Sequence, residues 1–175
     1  MSDVPGVRVD DHRHSRVLEA PLATPRRGLM LHYDDSSRDD WAVEWFDDPR
    51  CTNGHTWLVL DDGRVVELAD PGMRTPHARP CLTHNANSAF YGIAAATNGL
   101  VLVTAPQLAS ITAICVALMR HHKWMAETAA SRIVGHDAQA IWTSAYTPRR
   151  ARWGKLGRKV DPTGQRADGR PIIDL

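Results

Sequence analysis

GLMLHY, residues 28–33, is a short apolar run ending in a histidine and a tyrosine, the pattern of a buried strand with His32 at its carboxyl end. Everything around it alternates. DDSSRDDWAVEWF follows, where Ser36 or Ser37 caps a helix and Asp39 or Asp40 completes a capping box. Trp41 and Trp45 then lie one turn apart on one face, as core or groove wall. HTWLVLDDGRVVELAD reads as a hairpin of Thr56 to Leu60 and Arg64 to Leu68, turning at Asp62-Gly63.

DPGMRTPHARPCLTHNANS is rich in Pro, Asn and His and reads as a long loop. FYGIAAAT, residues 90–97, returns as a strand of small residues that invites close packing. The clearest helix comes next: Thr104 caps it, Pro106 fits its first turn, and Leu108, Ile111, Cys115, Leu118 and His122 recur at three-four spacing. SRIVGHDAQAIW carries another short apolar strand ending at Gly135-His136, before a loop-rich tail. Strands alternating with helices, plus one hairpin, predict a mixed α/β single domain. Residues 1–25 read as a polar, proline-punctuated arm and 26–175 as the domain.

Composition narrows the function. The chain has 175 residues, 43% of them hydrophobic, enough for one ordinary core. A formal net charge of +1 gives no argument for nucleic acid or a membrane surface. RRARWGKLGRK is the one basic run, either a solvated loop or a contact for an anionic polymer. Cys51, Cys81 and Cys115 match no zinc-knuckle or disulfide spacing, which fits reduced synthesis. The N-terminal residues hold no signal-type apolar run, so synthesis in the cytoplasm is the expectation.

His32 and His136 share a context, each closing a short apolar run (LMLH, IVGH). In open α/β sheets ligands collect at the carboxyl ends of strands, so two such histidines can converge. LGRKVDPTGQ adds a third donor, Asp161. Two neutral imidazoles and one carboxylate make a Zn²⁺ site with a fourth position open to water. Taken singly, each histidine also reads as a packed or surface residue, and Asp161 as a turn. Asp137 is a weaker third donor, because neighbours on an extended chain point opposite ways.

The series LMLHY, WFDDP, GHTWLVLDDGRVVELAD, PHARP, NSAFYGI, VTAPQLASI, RIVGHDA and GRKVDPTG resembles, in order, the zinc-dependent N-acetylmuramoyl-L-alanine amidases and the related peptidoglycan recognition proteins. The resemblance spans roughly residues 28 to 165. It implies a central mixed β-sheet flanked by helices, and Zn²⁺ held by His32, His136 and Asp161. It implies hydrolysis of the amide joining N-acetylmuramic acid to L-alanine, with bacterial peptidoglycan as partner, neither nucleic acid nor a stable membrane association, and a monomer.

Further roles follow from that resemblance. Lys159 stands two residues before Asp161, on the same face of an extended chain, where a basic residue neutralises the substrate oxyanion. Muropeptide-recycling members carry a glutamate in a GIE stretch, whereas this chain reads GIAAAT and places Ala94 there. His55 occupies the position of a tyrosine used by phage amidases, and so becomes the proton shuttle or a cleft-lining group. His77, in PHARP, is expected at the substrate groove or oxyanion, Asn87 and Trp57 as further substrate contacts, with Asn87 equally a structural residue and Trp57 equally core or groove wall. Trp142 and Trp153 are candidates for stacking on sugars, His84 a weaker contact. His121 and His122 close the long helix, and His12 and His14 sit in the arm. A phage endolysin, reaching the wall through a holin-opened membrane, fits these readings; a recycling amidase and a non-catalytic binding module of the same fold are the alternatives.

Overall fold

The computed structural model describes residues 7, 9–13, 19–22, 25–34, 39–51, 54–78, 85–97 and 103–135. In chain order the described elements are β1 (Val9–Asp11), β2 (Ala20–Pro21), β3 (Gly28–Tyr33), α1 (Asp39–Asp47), β4 (Trp57–Val59), β5 (Val65–Glu67) and β6 (Met73–Arg74). Then come α2 (Ala86–Ala89), β7 (Phe90–Ala95), α3 (Ala105–His121), a 3-10 turn (Ala126–Thr128), α4 (Ala129–Arg132) and β8 (Ile133–Gly135). Six strands form one mixed sheet in the order β1-β5-β4-β7-β3-β8, and β2 pairs with β6 apart from it. Among the described strands of the large sheet only β4 and β5 run antiparallel, as a hairpin must; the other pairings are parallel.

β3 lies between β7 and β8, and all six of its residues are buried. That is why its sequence shows no alternation: both faces are covered. Leu29, Leu31 and Tyr33 point to one layer with Trp57, Val59, Tyr91 and Ile93, and meet Ile111, Ile114, Cys115 and Leu118 of α3. The opposite layer joins Leu58, Val66 and Ala94 to Ala42 and Phe46 of α1. Each fully buried leucine in these layers contributes roughly 1.5–3 kcal/mol.

The Asp62-Gly63 turn and the Thr104 cap hold as the sequence predicts, while Ser36 and Ser37 lie outside the described residues. Gly63 has φ of 84°, in the left-handed region, and its N–H donates to Leu60 O at 2.9 Å. A side chain there would also strike Pro106, since a Cβ would lie 3.0 Å from that ring. Thr104 caps α3 by accepting from Gln107 N–H, and Gln107 Oε1 accepts in return from Thr104 N–H. The same amide, fully buried, donates to Val59 O at 3.1 Å and Ala96 O at 3.3 Å. One side chain thus closes the helix and ties it to two strands.

Two expectations are corrected. Trp41 and Trp45 are 52% and 42% exposed, so neither belongs to the core. Burial falls on Ala42 and Phe46, one residue further round the same helix, because those side chains meet Leu58, Leu60 and Leu68. Within residues 1–25, Val9–Asp11 pairs in parallel with β5 as the edge of the large sheet, and Ala20–Pro21 pairs with β6. Those pieces are strand rather than free arm. Among the described residues no helix is long and apolar enough to cross a membrane.

Candidate functional site

Three histidines gather on the α1 side of the sheet. His32, 1% exposed, stands at the carboxyl end of β3 with Ala94 of β7 as its Cα partner. His55 immediately precedes the hairpin, where Thr56 N–H donates to Gly92 O at 2.8 Å and pins the chain to β7. His77 follows a tight turn in which its N–H donates to Thr75 O at 3.0 Å. Ring centroids are 4.7 Å apart for His32–His55, 5.1 Å for His32–His77 and 6.4 Å for His55–His77. Phe46 of α1 meets His55 edge-on at 5.9 Å and walls the cluster from beneath.

The hydrogen bonds assign the nitrogens. His77 Nε2–H donates to Phe90 O at 3.0 Å, because a carbonyl only accepts. In a neutral ring His77 Nδ1 is then the acceptor, and His32 Nε2–H donates to it at 3.1 Å. His32 therefore carries its lone pair on Nδ1. Imidazoles so placed can move protons or ligate a metal ion.

The sequence-predicted residues divide into three groups. His32, His55 and His77 come together. Trp57 does not join them, and its expected substrate contact is corrected. In β4 its neighbour Leu58 pairs with Ala94 on the histidine side, which turns Trp57 to the α3 layer. There it is 1% exposed, and its indole N–H donates to buried Glu67 at 3.1 Å. Asn87 serves the structure, since its Oδ1 accepts from Ala78 N–H at 2.7 Å and fixes the chain just after His77. His136, Lys159 and Asp161 lie outside the described residues, as do Asp137, His84, Trp142 and Trp153.

Among the described residues no three His, Cys, Asp or Glu side chains are grouped to hold a metal. The expected set thus rests on His32 plus two donors beyond them. Its chemistry, two imidazoles and a carboxylate, fits Zn²⁺. The described backbone accords with it, since Gly135, the residue before His136, is the Cα partner of Leu31, the residue before His32. Neither described cysteine offers a nucleophile at the cluster. Cys51 and Cys115 are both buried, and burial pushes the Cys115 thiol up to about 12.

Gly92 is the residue that sequence reading passes over. It shares the face of His32, and a Cβ there would lie 2.7 Å from His77 Cγ and 2.9 Å from its Cβ. The signal was a glycine inside the strand FYGIAA, which marks close approach of another group.

A mixed sheet layered between helices is the fold this chain shares with solved amidases and peptidoglycan recognition proteins. The chain is similar to the endolysine N-acetylmuramoyl-L-alanine amidase LysCS from Clostridium intestinale, with a TM-score of 0.59 at 15% identity over 85% of this chain and 88% of that one. An AmpD derivative superposes with a TM-score of 0.61 at 16% identity, covering 82% and 86%. Drosophila peptidoglycan recognition protein SA gives 0.55 at 15% identity, covering 75% and 81%. The family model for N-acetylmuramoyl-L-alanine amidase matches residues 22–164, and the chain belongs to that family. Membership supports amide hydrolysis as the activity and peptidoglycan as substrate or ligand. No curated protein sequence matches the chain significantly.

Proposed function

We propose that this protein is a zinc-dependent N-acetylmuramoyl-L-alanine amidase that cuts the lactyl–L-alanine amide of bacterial peptidoglycan, acting as an endolysin. The observation that carries the reading is the buried His32 cluster at the carboxyl end of β3, beside a strand that ends in register one residue before His136. In this reading His32, His136 and Asp161 hold the metal. When bound, Zn²⁺ supplies a Lewis acid for the amide carbonyl and brings water to a pKa of about 7.

The chain's own residues supply the rest. In this reading Lys159 supplies the positive charge that neutralises the oxygen made negative when the amide carbon turns tetrahedral. His55, packed against His32 and Phe46, relays a proton toward the departing amine, a poor leaving group until protonated. Ala94 sharpens that assignment. It is the Cα partner of His32 and fully buried, so the β7 position where recycling members carry glutamate offers only a methyl group here. Proton transfer then falls to a histidine, which favours the endolysin reading over recycling.

Mass analysis of peptidoglycan digested by the protein tests the proposal. New L-alanine amino termini with no new reducing sugars are expected. Binding without any new terminus would make the chain a recognition module instead, and new reducing ends would make it a glycosidase.

A further inference from the structure

Resting on the assignment of His32 to the metal, we propose that His77 is a positioning residue: it holds His32 as the Nε2–H tautomer and so reserves Nδ1 for the metal. With both of its own nitrogens spent, His77 does not contact substrate through them.

Three observations carry this. His77 spends Nε2–H on the Phe90 carbonyl at 3.0 Å, which leaves Nδ1 to accept from His32 Nε2 at 3.1 Å. The Phe90 carbonyl is itself fixed, since it also accepts from Arg26 at 2.6 Å. Finally, the ring is seated against β7 at Gly92, where a methyl group would lie 2.7–3.0 Å from His77 Cγ, Cβ and Cδ2. Those atoms are close to the His77 backbone and have little room to yield. A seat, a fixed acceptor and a His77 Nδ1 that can only accept together leave His32 a single tautomer. A histidine ligand whose second nitrogen is held by a neighbour is more basic and better oriented, and losing such a partner typically costs 10–100-fold in metal affinity.

The experiment is ring-nitrogen NMR of the metal-free chain, above the ordinary histidine value of about 6.5, together with Zn²⁺ affinity by chelator competition. Wild type is expected to show His32 as Nε2–H. His77→Phe keeps the bulk and removes the acceptor, so His32 should become a mixture of tautomers and Zn²⁺ affinity should fall about 10–100-fold. His77→Asn restores an acceptor near Nδ1 and should recover most of both. Gly92→Ala should reproduce the His77→Phe phenotype without touching a polar atom, with circular dichroism confirming the fold. An unchanged His32 tautomer in folded His77→Phe overturns the proposal, whether or not the protein hydrolyses peptidoglycan. A wild-type chain that takes no Zn²⁺ overturns the zinc-amidase reading instead, and with it the purpose given to the tautomer.

Discussion

Leu31 and Gly135 are Cα partners in the parallel ladder of β3 and β8. The residues that follow them in sequence are His32, at the carboxyl end of β3, and His136, which lies outside the described residues. If these two and Asp161 bind metal, removal of Zn²⁺ by a chelator abolishes wall lysis and added Zn²⁺ restores it. Asp161→Ala is expected to lose metal and activity together, read as zinc content per chain and turbidity clearance. Lysis that survives thorough metal removal sinks the zinc mechanism.

His55 is predicted to act on the proton rather than on the metal. His55→Ala should therefore retain stoichiometric Zn²⁺ and substrate binding while kcat falls about 100-fold, the scale of one general acid–base group. A kcat equal to wild type would reduce His55 to a wall of the cleft.

Some of this was legible in the residues and some was not, for physical reasons. GLMLHY announced a strand covered on both faces, because only such a strand tolerates an unbroken apolar run, and β3 does lie inside the sheet between β7 and β8. Asp62-Gly63 and the Thr104 cap were equally plain, since turns and caps depend on local chemistry. The rotation of α1 was not. Trp41/Trp45 and Ala42/Phe46 are both spaced by four, and the choice between them depends on the contour of the sheet beneath. Trp57 misled for a related reason: a strand has two faces, and composition does not say which one holds the site. The pairing of His77 with His32 joins residues 45 apart through hydrogen bonds that no local pattern records.

Arg26 is buried where a charge is costly to desolvate, and burial lowers its pKa. It remains because its fork reaches several carbonyls at once. One terminal nitrogen donates to Asn87 O at 3.2 Å, Ser88 O at 3.3 Å and Phe90 O at 2.6 Å. The other donates to Pro71 O at 3.3 Å and to Met73 O, and the plane lies 4.3 Å over the Tyr91 ring. A lysine presents one point charge and cannot span both sets. Arg26→Lys should cost about 3 kcal/mol in urea denaturation, on the scale of buried bonds to a charged group left unmade. A change under about 0.5 kcal/mol would be that of an ordinary surface substitution and would show that the fork is dispensable.

His122 should make stability fall on acidification. Its Nε2 lies 2.8 Å from Tyr91 Oη and its ring stacks on Trp124 at 4.5 Å. Burial raises the Tyr91 pKa, which keeps the phenol protonated as the donor, and His122 Nε2 accepts only while unprotonated. Burial first, then His121 and Arg26, hold the His122 pKa below 6.5. As pH drops through that ordinary value, the unfolded chain takes up the proton before the folded one, so stability falls until the lower folded pKa is passed and stays reduced below it. The measurement is the urea midpoint of wild type and His122→Asn at about pH 7.5 and about pH 5.5, either side of the ordinary histidine value. Asparagine cannot titrate there, so the variant should lose less stability between the two conditions. Equal losses in both proteins would remove His122 from the acid response and place it on the remaining histidines.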